Sequence, residues 1–385
     1  MFVRLRSLPH RNATFSRVAT AWASSTPTST KSHGQNPDNQ EQQAKTCSAT
    51  ETCPQQQQRE QVEAKQEPIF CADARDRRLL LYHLESTTST QEDAKVLVET
   101  NNSGNQESKA PTLPSVEPLS LGEVTDNQVC FAVTATSQSK GRGTNGRIWM
   151  APRGNAIVTI GIQQSAWSEK TGLLLTLLPL KLATIVAQRV EELLDSELDD
   201  SSSLPRPHVT VKWPNDVLVN REKIAGVLIE TARDKNNNYW MLVGIGVNVG
   251  YTPLVPTSGP NNGRRATSIR QLVYEQTKGK KAEEYHKEEN EVFAEAYVDM
   301  ARQLGTDLAY EVSDFMWSST LSRKLESQER ILKEWKEWVD WDMELVLRDG
   351  DDKVPVVPVD VHSDGRLIVR GRNGVEKTVV ADYFL

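Results

Sequence analysis

Residues 208–249, HVTVKWPNDVLVNREKIAGVLIETARDKNNNYWMLVGIGVNV, carry the clearest fold pattern in the sequence. It contains three apolar, strand-like runs that are separated by short polar turns. Successive strands with such short connections predict an antiparallel meander, because parallel neighbours would need a crossover of a dozen or more residues. The stretch therefore indicates a sheet in which these strands follow one another in chain order.

Each of the three runs also carries polar residues or glycines. The proline of KWPND lacks a backbone donor and marks a strand end or a bulge, which can turn Asn215 and Asp216 into a cleft. Gly226 interrupts an apolar run and predicts the close approach of a ligand, while Lys223 lies at the start of the same run. Asn248 follows two strand glycines. Together these features predict one polar site built by three strands.

A second segment, SQSKGRGTNGRIW at residues 137–149, is both glycine-rich and cationic. Glycines allow backbone N–H groups to approach a ligand closely, and arginines supply forked donors for carboxylate or phosphate oxygens. The spacing is neither that of a Walker loop nor that of a dinucleotide fingerprint. Alone, the segment is compatible with an ordinary hairpin loop; beside the strands of 208–249 it predicts an anion site.

The rest of the chain alternates between helical and strand-like patterns. Its C-terminal part, from Asp342, has short apolar runs separated by Asp-Gly and Asn-Gly turns, which predicts a small β-barrel. The other predicted elements are strands at 79–84, 128–138 and 154–164, capped helices at 89–100 and 267–277, a long buried helix or helix pair at 170–194, and mostly helical sequence at 284–338.

Composition excludes several classes of protein. The net charge of −7 over 385 residues is not that of a nucleic-acid-binding polycation. No apolar run reaches the roughly 18 residues that a membrane span needs. The four cysteines, Cys47, Cys53, Cys71 and Cys130, lack metal-ligand spacing and are expected to be free thiols in a reducing compartment.

The N-terminal residues have the composition of a targeting segment. The first 37 residues contain no Asp or Glu but several Arg, Ser and Thr, which is typical of an organellar transit peptide. A disordered basic tail is the alternative. Residues 38–75 are polar and of low complexity, so disorder is expected there. We predict a mitochondrial location, with a plastid or the cytoplasm as alternatives.

SQSKGRGTNGRIW, KWPND, KIAGVLIE and GIGVNV, in this order, resemble the biotin–protein ligase (holocarboxylase synthetase) family over residues 79–385. The resemblance implies an α+β fold, with a mixed or antiparallel sheet flanked by helices in a class II synthetase-like catalytic domain and a C-terminal SH3-like barrel. The expected divisions are 1–75, 76–338 and 339–385. The implied reaction joins biotin and ATP into biotinyl-5′-AMP and transfers biotin to one lysine of a biotin carboxyl carrier domain of a carboxylase.

The resemblance also implies roles for individual residues, matched motif by motif. Lys223, Arg142 and Asp216 are the implied catalytic residues. The implied biotin contacts are Ser89, Thr90, Gln91, Gln138, Gly141, Arg142, Lys223 and Gly226. The implied ATP contacts are Arg142, Arg147, Trp149, Asn215, Asp216, Lys223 and Asn248.

The chemistry explains these residue types. A biotin carboxylate must attack an α-phosphate, and the two anions repel each other until cations screen them. Arg142, Arg147, Lys223 and Mg²⁺ can do so, with Asp216 as the protein ligand of the metal. Asp216 is also a candidate base for the second step, which needs a neutral acceptor amine.

Two other functions are compatible with parts of the sequence, and two features depart from the family pattern. A lipoate or octanoate–protein ligase of the same superfamily is the alternative enzyme, but its Arg-Arg-x-Ser-Gly-Gly-Gly stretch is missing here. RNA or DNA binding by the 137–149 loop is the non-enzymatic alternative, and the acidic chain argues against it. No helix-turn-helix is predicted before Leu79, and Thr144 stands where the family usually has a further arginine. We expect no nucleic-acid partner, no membrane association, and a monomer or weak homodimer.

Overall fold

The computed structural model describes residues 79–100, 130–164, 173–198, 204–256, 264–279, 282–288, 295–317, 324–349 and 352–380, all within one compact unit, Pro68–Leu385. The strands in the first part of the chain are β1 (Leu79–Leu84), β2 (Cys130–Ala135), β3 (Gln138–Arg142), β4 (Ile148–Ala151), β5 (Ala156–Gln163), β6 (Val209–Lys212), β7 (Asp216–Val219), β8 (Glu222–Arg233) and β9 (Tyr239–Val247). Four more follow at the C-terminal end: β10 (Leu345–Asp349), β11 (Asp352–Val361), β12 (Leu367–Gly371) and β13 (Glu376–Val379). The helices are α1 (Thr90–Thr100), α2 (Leu178–Glu197), α3 (Ile269–Lys278), α4 (Ala282–Glu288), α5 (Glu295–Trp317) and α6 (Lys324–Lys336).

The main sheet has seven strands in the order β1-β2-β5-β9-β8-β7-β6. β1 and β2 are parallel, and every other neighbouring pair is antiparallel, so the sheet is mixed. β6 to β9 form the meander that residues 208–249 predict. The first of the three runs is itself a hairpin, because β6 ends at Lys212 and β7 begins at Asp216, and this break confirms the strand end expected at Pro214.

Period-two alternation sends the strand residues to two different cores. In β9, Met241, Val243, Ile245 and Val247 belong to the large core, whereas Trp240 and Leu242 belong to a smaller one with α1. Helices α2, α5 and α6 pack on the large-core side. The sheet is thus covered by helices on both faces, as the fold class predicts. Among the helices in the described ranges, none has the length and apolar character of a membrane span.

A second, four-stranded sheet at the C-terminal end runs β10-β11-β12-β13, with each neighbouring pair antiparallel. Two of its turns contain glycines with positive φ, Gly365 at 86° and Gly374 at 76°, in the Asp-Gly and Asn-Gly turns that the sequence marks. This small antiparallel sheet is consistent with the predicted SH3-like β-barrel. Of the sequence cysteines, Cys130 falls in the described part and is a buried thiol; the targeting segment at 1–75 and the other three cysteines lie outside it.

His83 on β1 gives the fold a defined pH dependence. Its ring nitrogens lie 2.9 Å from Thr134 Oγ1 and 3.1 Å from Thr136 Oγ1. Burial, assisted by the charge of Arg302, lowers the pKa of His83 to about 4. An unfolded histidine titrates near pH 6.5. Between about pH 6.5 and pH 4, His83 is therefore protonated in the unfolded chain but not in the folded chain. The free energy of unfolding falls as the pH falls through this range.

We therefore expect His83→Gln to reduce the pH sensitivity of folding. Between pH 7 and pH 5 the melting temperature of the wild-type protein should fall further than that of the variant, because glutamine has no proton to gain. Thermal unfolding at the two pH values checks this, with the exposed His208→Gln as the matched control. Equal falls in wild type and His83→Gln would contradict the assignment.

Candidate active site

The cleft opens on the α1 face of the main sheet, where a run of strand residues lacks large side chains. Leu242, Gly244 and Gly246 share this face of β9 by alternation, and Gly226 of β8 is paired with Gly246. Because the glycines have no side chains, Gln91, Trp149 and Lys223 come close to the sheet here. They border a cleft of about 480 Å³, a volume that includes open solvent. The sequence-predicted residues that line it are Ser89, Thr90, Gln91, Gln138, Arg142, Trp149, Asn215, Lys223 and Gly226.

Trp149 reaches this floor from the hairpin of β3 and β4. A Cβ added to Gly246 would lie 2.4 Å from the indole Nε1 and 2.5 Å from Cε2, so glycine is required for the ring to rest there. The indole Nε1 is buried and has no hydrogen-bond partner among the residues that the structure describes. A buried donor without a partner is expensive unless something else satisfies it, and this donor belongs to a side chain that lines the cleft.

Gln91 at the first turn of α1 supplies the complementary group. Its Nε2 donates to Glu230 Oε2 at 3.0 Å and faces the Leu242 carbonyl at 3.5 Å. Its Oε1 is buried and finds no hydrogen-bond partner within the described ranges. The cleft therefore contains an unsatisfied acceptor as well as an unsatisfied donor, and a bound ligand with polar groups of both kinds would satisfy them.

Lys223 is held at the cleft by Asp216. Its Nζ lies 2.7 Å from Asp216 Oδ1 and 5.4 Å from the centre of the Trp149 ring. Lys212 Nζ lies 3.3 Å from the other oxygen, Oδ2. Burial alone would raise the pKa of Asp216, but the two lysines outweigh it and hold the pKa below its usual range. Asp216 is therefore ionised at neutral pH and fixes Lys223 in place.

Arg142 forms a cluster with two carboxylates at the edge of the cleft. Its guanidinium pairs with Glu92 of α1 and, at 2.9 Å, with Glu230 Oε2 of β8. All three side chains are more than a third exposed, and exposed pairs of this kind contribute at most about 1 kcal/mol. An anionic ligand can therefore replace one of these carboxylates at Arg142 with little loss in the free energy of unfolding.

Four predicted residues do not line the cleft. Gly141 packs beneath Gln138 and the Trp149 carbonyl, where a Cβ would lie 2.3 Å from each. Arg147 is exposed on the hairpin, and Asp216 lies behind Lys223. Asn248 is buried and donates to the Thr267 carbonyl at 3.1 Å, which is a structural hydrogen bond.

Sequence reasoning missed several residues of the site. Glu230 could have been found, because it lies two and four residues beyond Leu228 and Gly226 on the same face of one strand. Thr159 Oγ1 donates to Thr90 Oγ1 at 2.9 Å and likewise shares the cleft face of β5. The role of Glu92 had no sequence signal beyond its position in the first helical turn, where acidic residues are common.

The side chains do not fit a magnesium site held by the protein. Within the described ranges no three His, Cys, Asp or Glu side chains gather as metal ligands. Asp216, the predicted ligand, faces a lysine with each of its two oxygens. A divalent cation would have to displace both ammonium groups, so no step is assigned to a metal bound there.

Comparison with known proteins finds similarity over the central part of the chain. Residues 119–248 match the model of the biotin/lipoate A/B protein ligase family. The chain is 32% identical over 122 residues to the bifunctional ligase/repressor BirA of Bacillus subtilis and 31% identical over 121 residues to the biotin–[acetyl-CoA-carboxylase] ligase of Paracoccus denitrificans. Each match covers 31% of this chain, and 33% and 45% of the two relatives. The chain thus spans less than half the length of these curated relatives.

Solved structures of similar proteins include the biotin protein ligase of Leishmania major with biotin, at 25% identity and a TM-score of 0.43, which covers 78% of this chain and 98% of that one. The ligase of Aquifex aeolicus with biotin and ATP has 22% identity and a TM-score of 0.43, over 79% of this chain and 96% of that one. The matched segment, residues 119–248, contains the cationic hairpin, the KWPND segment, Lys223 and the glycine floor. The similarity to the biotin/lipoate A/B protein ligase family thus includes most of the residues that line the cleft.

Proposed function

We propose that this protein attaches biotin to a lysine of a biotin carboxyl carrier domain, with ATP and through biotinyl-5′-AMP. The observation that carries the proposal is the cleft itself. Over one glycine floor it combines an ammonium group fixed by Asp216, an indole donor and an amide acceptor that both lack partners, and a guanidinium at the edge. Such a set suits a ligand with a ureido-like polar ring at one end and anionic groups at the other.

The first step brings two anions together. The carboxylate of biotin attacks the α-phosphate of ATP, pyrophosphate leaves, and a mixed anhydride forms. Lys223 is charged and preoriented at the cleft, so its field lowers the repulsion between the reacting groups without any rearrangement during the reaction. Arg142 supplies a second cation when an oxygen of the ligand replaces one of its two carboxylate partners.

The second step transfers the biotinyl group to a lysine amine of the carrier domain, and AMP leaves. The low pKa of Asp216 makes it a weak proton acceptor at neutral pH. We therefore assign Asp216 a positioning role through Lys223 instead of the general-base role that the sequence suggests. The Trp149 ring and the hairpin that carries it would shelter the anhydride from water.

Biotin-dependent exchange of pyrophosphate into ATP tests the first step directly. The assay uses the purified protein with biotin, and in parallel with lipoate and octanoate. Exchange with biotin alone supports the proposal. Exchange with lipoate or octanoate but not with biotin would replace it by the alternative ligase. Transfer to a purified biotin carboxyl carrier domain, with its acceptor lysine changed to arginine as the control, tests the second step.

Thr144 gives a prediction about retention of the intermediate. It lines the cleft at the start of the short turn Thr144–Gly146 between β3 and β4. An arginine there adds a charged donor for the phosphate, and one such hydrogen bond is worth roughly 1.5–3 kcal/mol. We expect Thr144→Arg to slow release of biotinyl-5′-AMP about tenfold, measured by stopped-flow fluorescence. Ser139→Arg, exposed on the same hairpin, is the control, and equal release rates in both variants would contradict the prediction.

We also propose that residues 1–75 direct the protein to a mitochondrion and are dispensable for catalysis. The support is their composition: basic, hydroxyl-rich and without acidic residues before Asp38. Fused to a fluorescent protein, residues 1–75 should give a mitochondrial signal, and the same fusion with the arginines changed to glutamine should not. A plastid or cytosolic signal from the unchanged fusion would contradict the assignment.

A further inference from the structure

A turn of the C-terminal sheet, residues 362–366 between β11 and β12, contacts Trp213 in the loop that joins β6 and β7 of the main sheet. The indole Nε1 of Trp213 donates to the Gly365 carbonyl at 3.0 Å. The hydroxyl of Thr176 donates to the Asp364 carbonyl at 2.6 Å. Within the turn, Gly365 N donates to the His362 carbonyl at 2.9 Å. The turn therefore contacts the loop between β6 and β7 and the segment before α2, in both cases through a backbone carbonyl of the turn.

Gly365 shows that this contact is close. Its backbone is left-handed, with φ of 86°, and it is buried although it sits in a hairpin turn. A Cβ there would lie 3.0 Å from the Thr176 carbonyl oxygen and 3.1 Å from Leu177 Cδ2. Gly374, in the next turn of the same sheet, has a similar φ of 76° but is exposed, with nothing within 4 Å of an added Cβ. Position 365 is therefore constrained by contact with Thr176 and Leu177 as well as by its own left-handed backbone.

Trp213 connects this turn to the cleft. Two residues later Asn215 lines the cleft, with its Nδ2 donating to the Val227 carbonyl and its own carbonyl accepting from Val227 N at 3.1 Å. Asp216 follows and holds Lys223. The strand before Trp213 is also tied to the C-terminal part of the chain, because Val211 N donates to the Trp338 carbonyl at 2.8 Å.

We propose that the 362–366 turn is a positioning element of the cleft, which acts through Trp213 to hold Asn215 at the cleft and Asp216 against Lys223. The loop 213–215 has no helix or strand geometry of its own, so its path depends on the groups at its two ends. One end is the Val227 pair, inside the main sheet. The other is the Trp213 indole, and its hydrogen-bond partner belongs to the C-terminal sheet.

Hydrogen–deuterium exchange of the segment 213–228 tests this without a ligand. Gly365→Ala should displace the turn, whereas Gly374→Ala introduces a comparable left-handed alanine with no neighbour to move. Trp213→Phe keeps an aromatic ring but removes the donor. We expect exchange in 213–228 to rise about fivefold to tenfold in Gly365→Ala and in Trp213→Phe, the scale of one lost hydrogen bond, and to be unchanged in Gly374→Ala. Equal exchange in all three variants and the wild type would overturn the proposal.

A kinetic arm rests on the proposed function. Gly365→Ala and Trp213→Phe should lower kcat of biotin-dependent pyrophosphate exchange by a similar factor. Each variant, including Gly374→Ala, is assayed at the same number of degrees below its own melting temperature. Full activity in both variants would contradict the positioning role. If the wild-type protein exchanges no pyrophosphate with biotin, the proposed function fails, and the deuterium measurement alone decides whether the turn positions the cleft.

Discussion

Replacing Lys223 by alanine is expected to lower biotin-dependent pyrophosphate exchange on the order of a hundredfold to a thousandfold, the usual effect of removing a preorganised charge from a transition state. Lys223 is a cation that both lines the cleft and is fixed by a partly buried carboxylate. Its loss removes the screening of the two reacting anions. It also leaves Asp216 with Lys212 as its remaining cationic partner among the described contacts, which adds a negative field next to the reaction.

Lys212→Ala is the matched control for this prediction. Lys212 also pairs with Asp216, at 3.3 Å, but does not line the cleft. It should therefore share any effect that comes from disturbing Asp216 and lack the effect that comes from removing a charge at the ligand. Exchange in Lys212→Ala should fall far less than in Lys223→Ala. Similar losses in the two variants would show that Asp216, and not Lys223, carries the effect.

The part of the site that follows from strand alternation could be predicted from the sequence. The meander, the break at Pro214 and the place of Gly226 within an apolar strand depend on nearest neighbours along the chain, and the structure has these elements. The approach of a ligand at Gly226 stays a prediction. Asn215 directly follows the break at Pro214, and Lys223 lies at the start of β8, the strand that pairs with β7. Both line the cleft. Local pattern is sufficient wherever a short turn fixes the register of two strands.

What the sequence could not predict depends on contacts between distant segments. The pairing of Arg142 with Glu92 and Glu230 joins three elements that are far apart in the chain. The low pKa of Asp216 depends on two lysines that converge only after β6, β7 and β8 have paired. For Asn248, the family pattern suggests the adenine side, whereas in the structure its amide is used by Thr267 and Asn155. Each of these depends on tertiary placement, on which a motif carries no information.

Gly246→Ala is expected to have the second large effect, through Trp149. The added methyl would lie 2.4–2.8 Å from three atoms of the indole, and because Gly246 is in the middle of a paired sheet, the ring must move instead of the backbone. Displacement of the ring removes the wall of the cleft beside Lys223 and the unpartnered indole donor together. We expect pyrophosphate exchange to fall about a hundredfold or more, in line with the effect of misplacing a group by about an ångström.

A double-mutant cycle with Trp149→Ala separates this cause from general damage to the sheet. If the methyl acts by displacing the ring, Gly246→Ala should reduce exchange strongly in the wild-type background and by less than about threefold once the ring is gone, because the two changes remove the same group. Gly226→Ala, whose methyl would lie 3.1 Å from Lys223 Cε and Nζ and 3.6 Å from Trp149 Cζ3, should be milder than Gly246→Ala in the wild-type background, because it does not overlap the indole ring. An undiminished effect of Gly246→Ala in the Trp149→Ala background would mean that the glycine is needed by the sheet or by the ligand itself, and that the tryptophan does not rest on it in the active protein.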